Sequence, residues 1–300
     1  MTRSLTLTGD PPIIIAHRGA SGYLPEHTLA AYDLAIEMGA DFIEPDLVLT
    51  SDGHLIARHD RYLGLTTNVS DKPAFADRRT KKPGHAEPEW YAEDFTLAEI
   101  KTLKARQPFP GRSDAHDDIH DIATFEQVLE LATRRSAELG RSIGVYPETK
   151  QPTLFASIGL DFKAPLLDAL EGFEQPVFIQ SFEPHILMEL RELTGRPLIM
   201  LLLRMDDGTP HIPLDMAKDF AFGIGPAKTL LIDSKTGKDT GLVAHAHDLG
   251  MAVHPWTFRD DFVGEGFETI DAELNAYLAL GIDGLFSDFS DTAVSVRGQR

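Results

Sequence analysis

The 300-residue chain has no cysteine, and its 28 Lys and Arg face 47 Asp and Glu, for a formal net charge of -19. Without cysteine there is no disulfide, no thiolate nucleophile and no zinc–thiolate centre. So negative a chain lacks the basic face of a duplex nucleic-acid binder and repels free polyanions. A phosphate-bearing ligand must then be a small molecule, gripped by a few local cations or bridged through a divalent metal. No apolar run is long enough to span a bilayer, and residues 1–10 lack the apolar segment and cleavage site of a signal peptide. As it stands the chain reads as cytoplasmic; with a leader removed, the same chain would be periplasmic. No feature assigns an oligomeric state.

Apolar residues make up 42% of the sequence, enough for a sizeable core. Short apolar or β-branched runs recur at residues 13–17, 42–49, 143–148, 177–182, 197–203, 220–224, 252–258 and 284–287. Helical periodicity falls between them at 28–38, 125–139, 162–171, 184–193, 241–249 and 272–280. Thr28 is placed to cap the first helix, and Gly39, Gly250 and Gly281 to end others. Strands alternating with helices predict an α/β fold, a closed TIM (β/α)8 barrel, in a single domain over 1–300. Residues 60–121 break the rhythm with charge, proline and aromatics, and read as an insertion after the second barrel strand. It is expected to hold one short helix over 96–104 and to lie over the barrel mouth as a lid, shaping the substrate pocket.

In such a barrel the C-terminal strand ends form the functional face. His17 and Arg18 end the first run, Glu44 and Asp46 lie on the second, Glu148 and Lys150 end the third, Gln180 the fourth and Trp256 the seventh. Glu44, Asp46 and Glu148 offer only oxygen donors, which suits one hard divalent cation, Ca2+ or Mg2+. A lone Glu-x-Asp would more simply form ion pairs, but Pro45 between these two takes the chain out of regular pairing, as strand ends near sites do. His17 and His59 each follow an apolar run. Two imidazoles facing one carboxylate cluster suit general acid/base work, since histidine both takes and gives a proton near neutrality, although neutral imidazole also ligates metals. Arg18 and Lys150 are the local cations for a phosphate or for the acidic cluster. Glu26, in the turn before the first helix, faces the site or stabilises the turn. The remaining histidines have no evident partners.

These residues resemble the glycerophosphodiester phosphodiesterase family. The resemblance rests on Ala16-His17-Arg18-Gly19, Pro25-Glu26-His27-Thr28, Glu44-x-Asp46 with Thr50-x-Asp52-Gly53, His59-Asp60, Glu148-x-Lys150, Gln180-Ser181-Phe182, Trp256-Thr257-Phe258 and Gly284-x-Phe286-Ser287-Asp288, in the family's order. The long insertion is similar to that of bacterial periplasmic members that scavenge glycerol phosphate. The resemblance implies hydrolysis of glycerophosphodiesters to sn-glycerol 3-phosphate and an alcohol, with a cation on Glu44, Asp46 and Glu148 and with His17 and His59 as the acid/base pair. Arg18, Lys150, Glu26, Gln180 and Trp256 are the candidate substrate contacts, and water or the glycerol 2-hydroxyl the nucleophile. Two rivals are a phospholipase-D-like enzyme of the same superfamily, which would depend on disulfides, and a barrel that binds glycerophosphate without turnover. The full set of histidines, carboxylates and Lys150 argues for the catalyst.

Overall fold

Ile13–His17 pairs in parallel with Phe42–Glu44 on one side and with Gly284–Ser287 on the other. The structure, a computed structural model, describes residues 5–83, 85–233 and 235–299; residues 1–4, the start of the stretch read for a leader, lie outside the described residues. Parallel pairing runs on through Asp46–Leu49, Glu148–Thr149, Ile179–Ser181, Leu198–Leu202, Gly223–Pro226 and Ala252–Val253. The ring closes through backbone bonds donated by Asp283 to Val253 (2.9 Å), by Phe286 to Pro255 (3.0 Å) and by Phe258 to Phe286 (2.9 Å). Each of the apolar runs contributes a barrel strand, and the architecture is a TIM (β/α)8 barrel.

Two strands are split by proline, which has no N–H to give the ladder. The second barrel strand consists of Phe42–Glu44 and Asp46–Leu49 on either side of Pro45, and the third of Gly144–Val145 and Glu148–Thr149 around Pro147. The run expected at 220–224 is displaced. Ala221 still donates a helical bond to Ala217 (2.8 Å), so pairing begins only at Gly223.

The helices pack around the ring in chain order: Leu29–Glu37, Phe125–Leu139, Lys163–Leu170, Pro184–Leu193, Leu242–Asp248 and Ile270–Ala279 match the periodic stretches. Ser290–Gly298 and the short Pro152–Ser157 and Leu214–Ala217 add to them. Thr28 caps the first by accepting the Ala31 N–H (3.1 Å), as its position predicts. Among the described residues no helix is long and apolar enough to cross a membrane.

After the second barrel strand the chain first turns back on itself. Leu55–Ala57 pairs antiparallel with Asp46–Leu49, Val48 opposite Ile56, and delivers His59 to the barrel mouth. Residues 60–121 then fold from short 3-10 helices and the helix Leu97–Ile100, capped by a reciprocal Thr96–Glu99 box. That helix is shorter than the expected 96–104 because Lys104 and Ala105 leave it for bridges to Asp121 and Thr67. Leu63, Val69, Phe75, Trp90, Phe95, Ile100 and Leu103 are buried in the same hydrophobic cluster as Val48, Leu49 and Leu55.

Alternation along the strands decides what fills the barrel. Ile15, Phe42, Tyr146, Ile199 and Phe286, from five strands, form a separate buried cluster in the lumen. Two residues further along, roughly 6–7 Å nearer the C-terminal face, the same strand faces carry His17, Glu44, Glu148, Leu201 and Asp288. The apolar plug is the floor of the site.

Candidate active site

A cavity of about 300 Å3 opens above that floor, lined by His17, Arg18, Glu44, Asp46, His59, Glu148, Lys150, Gln180, Phe182, Trp256, Lys228 and Arg259 among others. Its centre is acidic. Carboxylate oxygens of Glu44, Asp46 and Glu148, all buried, lie within 4.8 Å of one another. Sheet register places them: His17 stands opposite Glu44, and Asp46, Glu148 and Gln180 are successive partners across three strands.

Three such groups cannot all be comfortably ionised out of water. Burial, with Asp46 and Glu148 nearby, pushes the Glu44 carboxyl well above its ordinary range. Burial likewise raises Glu148, to about 8, despite its ion pair with Lys150. Asp46 goes the other way. Burial opposes ionisation there, but Lys150, the His27 hydrogen bond, His59 and Arg18 outweigh it and hold the carboxyl well below the usual value.

The surrounding polar groups are each anchored. Arg18 and His27 sit in the left-handed region, with φ of 61° and 60°. There the Arg18 amide donates to Glu44 Oε2 (2.9 Å), while its guanidinium pairs with Glu26 (2.8 Å) and Asp46 (3.3 Å). Such backbone strain in non-glycine residues gathers at functional sites. Lys150 Nζ lies 2.9 Å from Glu148 and 3.7 Å from Asp46. Gln180 Nε2 donates to Glu44 Oε1 (3.1 Å), and the Trp256 indole N–H is tied to the Gly225 carbonyl (2.7 Å). His27 Nε2 bonds Asp46 Oδ2 at 3.0 Å, with its Nδ1 on the Tyr32 hydroxyl (2.7 Å).

The two candidate histidines differ in setting. His17 Nδ1 is 2.6 Å from Asp288 Oδ1; burial and then Arg18 lower this imidazole to about 4, against the pull of Asp288. Asp288 accepts further bonds from Arg112 (2.6 Å) and Arg259 (2.7 Å). Burial opposes its ionisation, yet His17 and the two arginines keep it a carboxylate. A carboxylate only accepts, so the proton on His17 is at Nδ1, and Nε2 is left with its lone pair. His59, about a third exposed, has Nδ1 3.1 Å from Asp60 Oδ2.

Of the sequence candidates, Glu26 is the one placed away from the cavity. It is buried behind Arg18, whose charge lowers it to about 2 in spite of burial. The lid expectation also changes form: the cavity takes His59, which immediately precedes this stretch, and among the described residues none of 60–121 is in its wall. The segment reaches the site through Arg112. His27 and Asp288 were visible in matching motifs without a role; Arg112 and Lys228 carried no sequence signal.

A family model described as the glycerophosphoryl diester phosphodiesterase family matches residues 17–292. A glycerophosphodiester phosphodiesterase of Arabidopsis thaliana is 34% identical, over 93% of this chain and 84% of that protein. One of Haemophilus influenzae is 32% identical, over 94% and 88%. An Oleispira antarctica phosphodiesterase, solved in complex with the product sn-glycerol-3-phosphate, has the same fold at a TM-score of 0.68, with 20% identity over 97% of this chain and 98% of that one. The chain belongs to the glycerophosphoryl diester phosphodiesterase family, and is an enzyme that hydrolyses glycerophosphodiesters.

Proposed function

We propose that the reaction releases sn-glycerol 3-phosphate and an alcohol, that it requires a divalent cation, Ca2+ or Mg2+, held by Glu44, Asp46 and Glu148, and that His17 and His59 move the protons. The observation that carries the reading is the convergence of three buried carboxylates and two imidazoles on one cavity. The donor set fits a hard cation: it is all oxygen, it is crowded, and the raised carboxyl groups of Glu44 and Glu148 are ones a second positive charge would ionise. When bound, the ion supplies charge stabilisation at the phosphoryl oxygens.

The protein's own groups do the rest. Lys150 and Arg18, each already set between carboxylates, add positive charge where the phosphodiester sits. His17, neutral with Nε2 free, takes the proton of the attacking hydroxyl, whether of water or of the substrate's glycerol. His59 gives a proton to the departing alkoxide, which leaves as the alcohol; where the glycerol hydroxyl attacks, the product of this step is a cyclic phosphate, which water then opens to glycerol 3-phosphate, the two histidines exchanging roles. Trp256 and Phe182, stacked edge to face at 5.7 Å, form an apolar wall of the cavity.

The experiment is release of glycerol 3-phosphate from glycerophosphocholine by the native enzyme, its chelator-treated form, and the latter after re-addition of Ca2+ or Mg2+. His17→Ala and His59→Ala are measured beside it. Full turnover in chelator removes the metal from the proposal, and full turnover by either variant removes that histidine.

A further inference from the structure

We propose that Arg112 is a positioning residue for catalysis: the insertion completes the His17–Asp288 dyad from a distance. This rests on the reading of His17 as a proton-transfer group. Asp288 uses one oxygen on His17 and the other on two arginines, Arg112 Nη2 at 2.6 Å and Arg259 Nε at 2.7 Å. Arg259 lines the cavity, within reach of substrate; Arg112 is absent from its wall and acts only through Asp288.

Arg112 is held as a fixed fork. Nη1 donates to the Ser21 carbonyl (3.1 Å), Nε and Nη2 donate to the two oxygens of Asp261 (2.7 and 3.2 Å), and the guanidinium lies over Phe109 with its carbon 4.2 Å from the ring centre. Gln107 adds a clasp, its amide donating to the Ser21 (3.1 Å) and Leu24 (3.4 Å) carbonyls. The insertion is therefore bolted to the turn that follows His17. The side chains of Arg112 and Asp288 are 3% and 1% exposed, so the charge of Asp288 depends on protein partners rather than water. Without Arg112, Asp288 keeps Arg259 on the same oxygen but loses the fork that fixes its orientation. His17 then loses the acceptor that keeps its proton on Nδ1. Lysine cannot span these partners, because its ammonium is a point charge and not a planar fork.

The test is steady-state hydrolysis of glycerophosphocholine by the metal-loaded enzyme. Arg112→Met is expected to lower kcat roughly tenfold to a hundredfold, the range typical of lost orienting partners, with KM within about twofold. Arg112→Lys should recover part of it, and added guanidinium should raise the Met variant and leave the native enzyme unchanged. In an Asp288→Asn background the same Arg112→Met change should cost less than about twofold, since partners acting through one group are not additive.

Arg112→Gln is read in parallel, so that one misfolded variant does not decide the outcome. Native kcat in folded Arg112 variants, or an equal loss in the Asp288→Asn background, overturns the inference while His17→Ala remains inactive. Turnover by His17→Ala would instead overturn the reading beneath it.

Discussion

His17 Nδ1 and Asp288 Oδ1 are 2.6 Å apart although 271 residues separate them in the chain. The barrel makes them neighbours. The first and last strands are paired, Ala16 opposite Ser287, so the residues that follow each sit side by side at the C-terminal rim. The pairing of these two strands is what builds the dyad.

Asp288→Asn keeps one acceptor oxygen, which Arg112 and Arg259 claim because they can only donate, and turns an NH2 donor toward His17. The amide can then donate to Nδ1, which moves the histidine proton to Nε2 and leaves no lone pair toward the substrate. The expected loss in kcat is roughly 10²–10⁴-fold, the usual worth of a positioned acid or base. KM should change little, because Asp288 lies behind the imidazole. Initial rates over a range of glycerophosphocholine concentrations check it.

Glu148→Gln separates metal binding from folding. Because burial already raises Glu148 to about 8 in the metal-free protein, its carboxyl is largely protonated at pH 7, and glutamine is a close mimic. In chelator, variant and native protein should melt within a few degrees of each other. With Ca2+ or Mg2+ at about 100 times the dissociation constant, only the native protein should gain, by about 2.7 kcal/mol. Differential scanning calorimetry with and without the ion reads both arms, and an equal gain in the two proteins refutes the ligand assignment.

The fold was legible because strand periodicity and strand-end chemistry coincide: a residue such as His17 or Glu148 is both the last of an apolar alternation and the first polar group in the lumen. Where the signal was local, as in the Thr28 cap, the sequence sufficed. Limits slipped where backbone pairing overrode pattern. Phe220 and Ala221 are apolar and buried, but their hydrogen bonds finish a helix. For Glu26 the sequence left both readings open, because a carboxylate in a turn near the site reads the same whether it meets substrate or only holds Arg18. Arg112 was illegible for a different reason. Its function lies in bonds to Ser21, Asp261 and Asp288, none near it in sequence, within a segment whose composition says only that it is irregular.

Gly144→Ala tests the packing beneath the site. A Cβ there would run into the ring of Phe42, itself part of the lumen plug with Tyr146 and Phe286. The ring is wedged at 5.2 Å from Phe178 and 6.1 Å from Tyr146, leaving it little room to yield. Overpacking of this kind costs about 1–3 kcal/mol. Urea denaturation should show a lower midpoint at unchanged slope. An unchanged midpoint would mean that the plug relaxes freely.

His254 should make the protein acid-sensitive through the same plug. It is buried in the lumen, its Nδ1 2.9 Å from the Tyr146 hydroxyl and its ring against Phe178. Burial, only partly offset by Asp283, lowers the imidazole from 6.5 to about 4. Above pH 6.5 the ring is neutral both folded and unfolded, and it contributes no pH dependence. Below 6.5 the unfolded chain takes the proton first, so stability falls with pH until the folded imidazole also titrates near 4. Each tenfold difference in proton affinity is worth about 1.4 kcal/mol, so the loss approaches roughly 3 kcal/mol at pH 4. His254→Gln retains a polar partner for Tyr146 and cannot titrate. At pH 7 it should be the less stable protein by about 1 kcal/mol, one strained or weakened buried hydrogen bond. Moving to pH 4.5 should close or reverse that gap, because the acidic cluster and the other histidines titrate alike in both proteins and cancel in the difference. Parallel urea titrations at the two pH values measure it; a gap that stays constant would mean that His254 titrates normally inside the fold.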